Sequence, residues 1–167
     1  REQKNLGSVE APLAVTVYVD FQCPYCRKFS REVMPRIARR YVRSGVVQLR
    51  VRHFPLPMHD RADEAANAAE CAAEQQRFWR YEHALVSGSD DFTQESLLES
   101  GRSVGVENFR RFHQCVVKGM NRRNVFEERG RGIQAGVRMT PTVVIGDTTV
   151  QGYHNFGHYR TRIKQQL

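Results

Sequence analysis

The sequence predicts an α/β protein: a small mixed sheet flanked by helices, with a helical insertion between the two halves of the sheet. Three observations carry this. Residues 13–54 read strand, helix, strand; signals are helical from about 60 to 136; strand signals then return before a last amphipathic run.

The first strand is "LAVTVYVDF" (13–21), nearly all apolar and β-branched, the pattern of a strand buried on both faces. Val33, Met34, Ile37, Ala38, Tyr41 and Val42 then recur at helical spacing with arginines between them. They predict one amphipathic helix over about 24–43, ended by Gly45. "VVQLRVRHF" (46–54) alternates Val47, Leu49 and Val51 with Gln48, Arg50 and Arg52, as a second strand does. Strand–helix–strand is the start of a parallel unit. In the middle, "RADEAANAAECAAEQQRFWRYEHALV" is rich in Ala and Glu, and further helices are expected near 94–101 and 107–118. "PTVVI" and "TTVQG" flank Gly146-Asp147, which suits a tight hairpin because glycine supplies a positive φ at no steric cost. Phe156, Tyr159, Ile163 and Leu167 form the last helix, with Asn155 as its N-cap.

At 167 residues and 40% hydrophobic, the chain suits one domain with a core of its own. No apolar run approaches the length of a membrane span. The chain begins at Arg1, not Met, which fits a signal or anchor removed before it. Net charge is +8, but the positives are spread: Arg36, Arg39, Arg40 and Arg43 along a helix, Arg50 and Arg52 along a strand. A solvated basic surface follows, with no nucleic-acid partner, and a monomer is expected.

The four cysteines are Cys23, Cys26, Cys71 and Cys115. The first two sit in "DFQCPYC", where an apolar strand gives way to a basic helix. A thiol reacts as its thiolate, which unpaired amides and the positive end of a helix dipole favour at a helix start. Pro24 suits the first helical position, where its missing N–H costs nothing. Cys26 returns to the same side of the helix as Cys23, close enough to form a disulfide with it. Cys23 is then the exposed nucleophile and Cys26 the deeper, resolving thiol. Two alternatives stay open. A zinc site wants four ligands, and only His154 and His158 offer a further close pair. A structural disulfide across so short a loop would constrain the unfolded chain little.

"DFQCPYC", "FPLPMH", "AANAAECAAEQQRFWRYEHALV" and "GVRMTPTVVIGD" together resemble the DsbA-like branch of the thioredoxin superfamily, over nearly the whole chain and in the right order. The resemblance implies a thioredoxin fold formed by residues 1–55 and 139–167, with an inserted helical domain at 56–138. It implies that Pro141 is cis and lies against the Cys23–Cys26 pair. It also implies that Thr140 offers its backbone to the substrate's cysteine segment as an added strand would. Two positions depart from the family. Many relatives carry a buried acid six residues before the nucleophile, where this chain has Val17. Proton transfer then falls to Asp20, water or a Glu of the insertion, although Asp20 also reads as a turn-forming or helix-start acid. The best-known oxidants have His where this chain has Tyr25, so the Cys23 pKa is expected below an ordinary thiol but less extreme than theirs. Arg27 and Lys28 are candidates for the missing positive charge.

Cys71 points roughly opposite Ala62 on a helix whose main stripe is alanine, and Cys115 sits at the edge of the Phe109–Phe112–Val116 face. A Cys71–Cys115 disulfide would clip two insertion helices together, with two free buried thiols as the alternative. Such a bridge belongs to an oxidising compartment, the periplasm or another extracytoplasmic space. Phe78, Trp79 and Tyr81 are assigned to the insertion core.

The expected activity is therefore a thiol–disulfide oxidoreductase that donates the Cys23–Cys26 disulfide to reduced secreted proteins. The resemblance implies re-oxidation by a quinone-linked membrane oxidase of the DsbB or VKOR type. No organic or metal cofactor is expected, since the electrons move through sulfur. A reductase or isomerase of the same fold, and a non-catalytic peptide-binding module, are the rival readings.

Overall fold

The computed structural model describes residues 2–167, so Arg1 lies outside the described residues. A short 3-10 turn (Glu2–Lys4) leads into β1 (Asn5–Leu6), followed by β2 (Leu13–Val19), α1 (Pro24–Glu32), α2 (Met34–Ile37) and β3 (Val47–His53). Five helices come next: α3 (Ala62–Ala73), α4 (Phe78–Ser87), α5 (Gln94–Ser103), α6 (Phe109–Lys118) and α7 (Arg122–Gln134). The chain ends with β4 (Thr142–Ile145), β5 (Thr148–Gln151) and α8 (Phe156–Gln166). The sheet order is β1-β3-β2-β4-β5, with β2 and β3 parallel and the other pairs antiparallel.

This topology positions the site. β2 is the central strand, and its Val15 and Val17 lie opposite Leu49 and Val51 of β3. β4 runs antiparallel to β2 with Thr142 opposite Tyr18. The residues just before β4 therefore lie beside the end of β2, where the cysteine segment begins. Gly146 turns the β4–β5 hairpin at φ 58, and the Asn155 side chain accepts from the His158 amide to cap α8.

Two expectations are corrected. β2 is not buried evenly on both faces: Val15, Val17 and Val19 are buried, while Ala14, Thr16 and Tyr18 are only half-buried. α7 packs on the second face, beside the polar side chains Thr16, Arg50 and Arg52. Nor is 24–43 one helix. Pro35 has no N–H to return to Arg31, and a proline ring crowds the preceding turn. The helix breaks at Val33, restarts as α2, and widens into a π-helical turn over Ala38–Val42 that closes with the Arg43 amide on the Ala38 carbonyl at 3.0 Å.

The helices pack against the same continuous core as the sheet. α3 is buried on almost every side, because alanine lets α4, α6 and α7 approach closely. That breadth, rather than a single stripe, is why Cys71 is fully buried opposite Ala62. Its sulfur is bonded to Cys115. Phe78 and Tyr81 are core, with Trp79 half-buried against Phe78. α7 meets the sheet at Gly132, where a Cβ would come within 2.8 Å of the Phe54 ring and 3.0 Å of Tyr18.

A buried ionic cluster ties the N-terminal segment to these layers. Lys4 is 1% exposed, with its ammonium 2.5 Å from Glu70 of α3 and in contact with Glu128 of α7. Glu128 also accepts the His53 amide at 2.8 Å, and the His53 Nε2 lies 3.3 Å from Glu70. Burial pushes the Glu70 carboxyl up, but His53 and Lys4 outweigh it and bring it down to about 2.

Candidate active site

Cys23 ends the β2–α1 loop as the N-cap of α1, with Pro24 at the first helical position. Asp20 orders this loop: its Oδ1 accepts the Gln22 amide at 2.8 Å and the Cys23 amide at 3.2 Å. The cysteines are both free thiols here, and both are buried. The Cys26 thiol donates to the Cys23 sulfur, the largest influence on Cys23. Burial works against the thiolate, while the Thr140 hydroxyl and the amides of Cys26 and Tyr25 work for it. The balance brings Cys23 from an ordinary 9.0 down to about 5. Cys26 moves the other way, well above an ordinary thiol, because it is buried and then because it serves as donor beside a negative neighbour. One thiol is thus held ionised and its partner held protonated.

The Thr140–Pro141 peptide is cis and closes the other side of the site. The Cys23 thiol lies 3.5 Å from the Thr140 carbonyl, and the buried Thr140 hydroxyl has no other partner than the sulfurs it faces. This cover corrects one expectation: Cys23 is only 6% exposed, so its sulfur is a rim group under the 140–141 segment rather than an open one. Tyr25 turns outward at 60% exposure, its ring 6.1 Å from Tyr153. Met139, also exposed, adjoins Gly152 beside Tyr153. The three make an apolar lip next to the sulfurs.

Val17 is buried in the core and brings no acid to Cys26. Asp20 is 2% exposed and has no spare oxygen, because its Oδ2 takes the Leu56 amide at 2.8 Å and lies 2.7 Å from His59 Nδ1. Of the two roles considered for Asp20, the structure places it in the turn-forming one. An insertion glutamate does lie near α1: Glu82 of α4 is buried, takes a hydrogen bond from Ser30, and leaves one oxygen unpartnered. Burial pushes it up to about 7. Arg27 and Lys28 do not serve the thiolate. The Arg27 guanidinium, itself buried, donates to the Leu85 carbonyl at 2.7 Å and to Gly88, and Arg31 donates to Val86 at 2.9 Å. Both arginines cap the carbonyl end of α4. Lys28 sits over the Tyr153 ring at 4.8 Å.

Among the described residues, the two clusters of potential metal ligands are already occupied by other contacts. His53, Glu70 and Glu128 bring ligand atoms within 4.8 Å of one another, but the Lys4 ammonium already fills the space between the carboxylates. Cys71 and Cys115 are bonded to each other. His154 and His158 stack at 4.2 Å, and among the described residues no third such ligand joins them. His59 and Glu82 were missed from the sequence. The "FPLPMH" segment was the available signal for His59; nothing in an Ala- and Glu-rich helix singles out Glu82.

The thioredoxin family model matches residues 2–165, nearly the whole chain. The chain belongs to the thioredoxin family. Among solved members of this fold, Chlamydia trachomatis DsbA superposes with a TM-score of 0.84, at 23% identity, over 97% of this chain and 90% of that one. Among curated relatives, the Na(+)/H(+) antiporter NhaA 3 of Salinispora tropica is 29% identical over 150 residues, which are 89% of this thioredoxin-family chain but 22% of the antiporter. A probable disulfide bond formation protein D of Bacillus cereus is 33% identical over 99 residues, 58% of this chain and 45% of that protein. The chain spans under half the length of these two relatives. The expected DsbA-like thioredoxin fold, a mixed sheet with a run of inserted helices, is borne out.

Proposed function

We propose that this chain is a thiol–disulfide oxidoreductase that works as an oxidase, passing its Cys23–Cys26 disulfide to reduced, folding proteins outside the cytoplasm. The observation that carries the reading is the opposed pair of thiols, Cys23 near 5 and Cys26 well above an ordinary thiol. A disulfide whose reduced form is so stabilised gives up its bond readily, and a thiol of low pKa leaves quickly.

The exchange runs in two steps. A substrate thiolate attacks the Cys23 sulfur and forms a mixed disulfide while the Cys23–Cys26 bond breaks; Cys26 takes a proton. A second substrate thiol, on losing its proton, attacks the substrate sulfur of that mixed disulfide and expels Cys23 as its thiolate. The substrate loses two electrons and the pair gains them. One proton remains on Cys26 and the amides at the start of α1 hold the Cys23 charge. An extended substrate segment lies on the Tyr25, Met139 and Tyr153 lip and pairs with the backbone at Thr140. The buried Cys71–Cys115 bridge supports an oxidising compartment, and no helix of the described residues is long and apolar enough to cross a membrane. Turnover then needs a separate oxidant, for which a quinone-linked membrane oxidase of the DsbB or VKOR type has the right chemistry.

Oxidative refolding of a reduced, unfolded disulfide protein tests this. The oxidised chain should restore activity to the substrate, whereas Cys23→Ser and Cys26→Ser, neither of which can form the Cys23–Cys26 bond, should not. Refolding that survives Cys23→Ser would overturn the reading.

A further inference from the structure

Asp20 touches both cysteines and one histidine. Its carboxylate accepts the Cys23 amide at 3.2 Å, its own amide donates to the Cys26 sulfur at 3.4 Å, and its other carboxylate oxygen lies 2.7 Å from His59 Nδ1. The contact with Cys23 presents a physical conflict. A carboxylate with 2% exposure sits against the backbone of the residue whose sulfur must ionise, and like charges within one buried loop oppose one another. Asp20 nonetheless has to stay, because it gathers the amides of Gln22, Cys23 and Leu56.

A cation is needed beside it, and the nearby arginines and lysine are committed elsewhere. Arg27 and Arg31 cap α4, and Lys28 lies on Tyr153. The Arg61 guanidinium bonds the Phe92 carbonyl and Glu64, and Arg129 donates to the Pro55 carbonyl. His59 remains. It lies in the loop between β3 and α3, with its side chain 22% exposed, on a cleft it shares with Asp60, Asp63, Phe126 and Arg129. Asp20 faces it from the β2–α1 loop, Asp60 and Asp63 from its own side of the cleft, and Arg129 from α7. Asp63 is already paired with the Arg122 guanidinium, so the carboxylate that the ring meets directly is Asp20.

We propose that His59 is a positioning residue for the redox pair: protonated and paired with Asp20, it cancels the carboxylate's charge beside Cys23 and leaves that carboxylate holding the Cys23 amide. The ring does not touch the reacting sulfurs. It sets the charge of the loop that holds them, so the protonation of a cleft histidine is linked to the oxidising strength of the pair. The inference rests on the functional reading above, since it takes Cys23 as the reacting thiolate.

The test is the thiolate absorbance of the reduced protein against pH, for wild type, His59→Asn, Asp20→Asn and the double variant. Asparagine keeps a donor near the Nδ1 position and removes the charge. His59→Asn should raise the midpoint of Cys23 ionisation by about one pH unit, leaving about tenfold less thiolate at acid pH. Its equilibrium with glutathione should shift about tenfold toward the disulfide, which is about 30 mV. In the Asp20→Asn background the same substitution should do nothing further, an outcome that loss of packing alone would not give. If the Asp20 variants do not fold, the wild-type protein still decides. At fixed pH near neutrality the His59 ring resonances should move toward the protonated limit on reduction, because the coupling is reciprocal. A His59→Asn midpoint equal to wild type, or His59 resonances blind to redox state, would overturn the inference. Wild-type Cys23 titrating as an ordinary thiol would instead overturn the functional reading, so the two failures are distinct.

Discussion

Acidification should separate Cys23 from every ordinary thiol, and the size of the separation follows from its ionisation near 5 against 9.0. At pH 7 Cys23 is almost wholly thiolate, against about 1% for an ordinary thiol, an advantage of roughly 100-fold. A thiolate of lower pKa is, however, a weaker nucleophile, and a Brønsted slope of about 0.4–0.5 removes roughly 40- to 100-fold of that gain. Alkylation at neutral pH is therefore a poor test, because the two effects nearly cancel. At pH 5 half of Cys23 is still ionised while an ordinary thiol is about 0.01% thiolate, so Cys23 should react roughly 50- to 100-fold faster than an unstructured cysteine peptide. The assay is iodoacetamide labelling of the reduced protein, read by mass at Cys23. Cys26 is buried and protonated and the other two cysteines are bonded, so none competes. The cover over Cys23 lowers the rate by the same factor at each pH and reduces the ratio to the peptide accordingly, so the pH profile is the criterion. The rate should stay flat from pH 8 to about 6 and fall below about 5. A rate that drops about tenfold per pH unit from 8 down to 5 would refute the thiolate argument.

Three further outcomes follow from buried groups. Burial raises Glu82 from 4.5 to about 7, so the folded state holds a proton the unfolded state gives up, and stability is lost as pH rises through that window. Glu82→Gln should then be more stable than wild type in urea at pH 8, by up to about 3 kcal/mol, and show no such gain at pH 4. Glu70 runs oppositely: held down to about 2 by His53 and Lys4 against its burial, it lends stability that is present above 4.5 and lost as pH falls toward 2. Lys4→Met leaves Glu128 without its buried cation and Glu70 with His53 alone, and should cost about 3–5 kcal/mol at pH 7, with urea midpoints at pH 7 and pH 3 as the check. Replacing Cys71 and Cys115 together by alanine releases a loop of 44 residues, and the chain-entropy argument predicts a loss of about 4 kcal/mol in the same assay.

Much of the fold was legible because its signals are local. The β-branched run at 13–19 forms a strand in any sheet of this order, and Asn155 caps its helix with its own side chain. The spacing of Cys23 and Cys26 with Pro24 located the site, since the helix start supplies amides wherever it is placed. What was not legible depends on distant partners. The break after Val33 was written in Pro35 but was outweighed by a strong apolar period on either side. The cover over Cys23 comes from a segment more than a hundred residues away. The Lys4 cluster joins four elements, and a lone lysine before a two-residue strand carries no sign that it is buried. Arg27 reads as a solvated helix cation until α4 is packed against it.

Whether the pair drives disulfides into substrates or removes them is decided by its reduction potential at pH 7, measured by equilibration with glutathione. A protein built to stabilise the Cys23 thiolate and keep Cys26 protonated should have a potential nearer about −120 mV than about −270 mV. A potential at about −270 mV would mark the chain as a reductant and contradict the account.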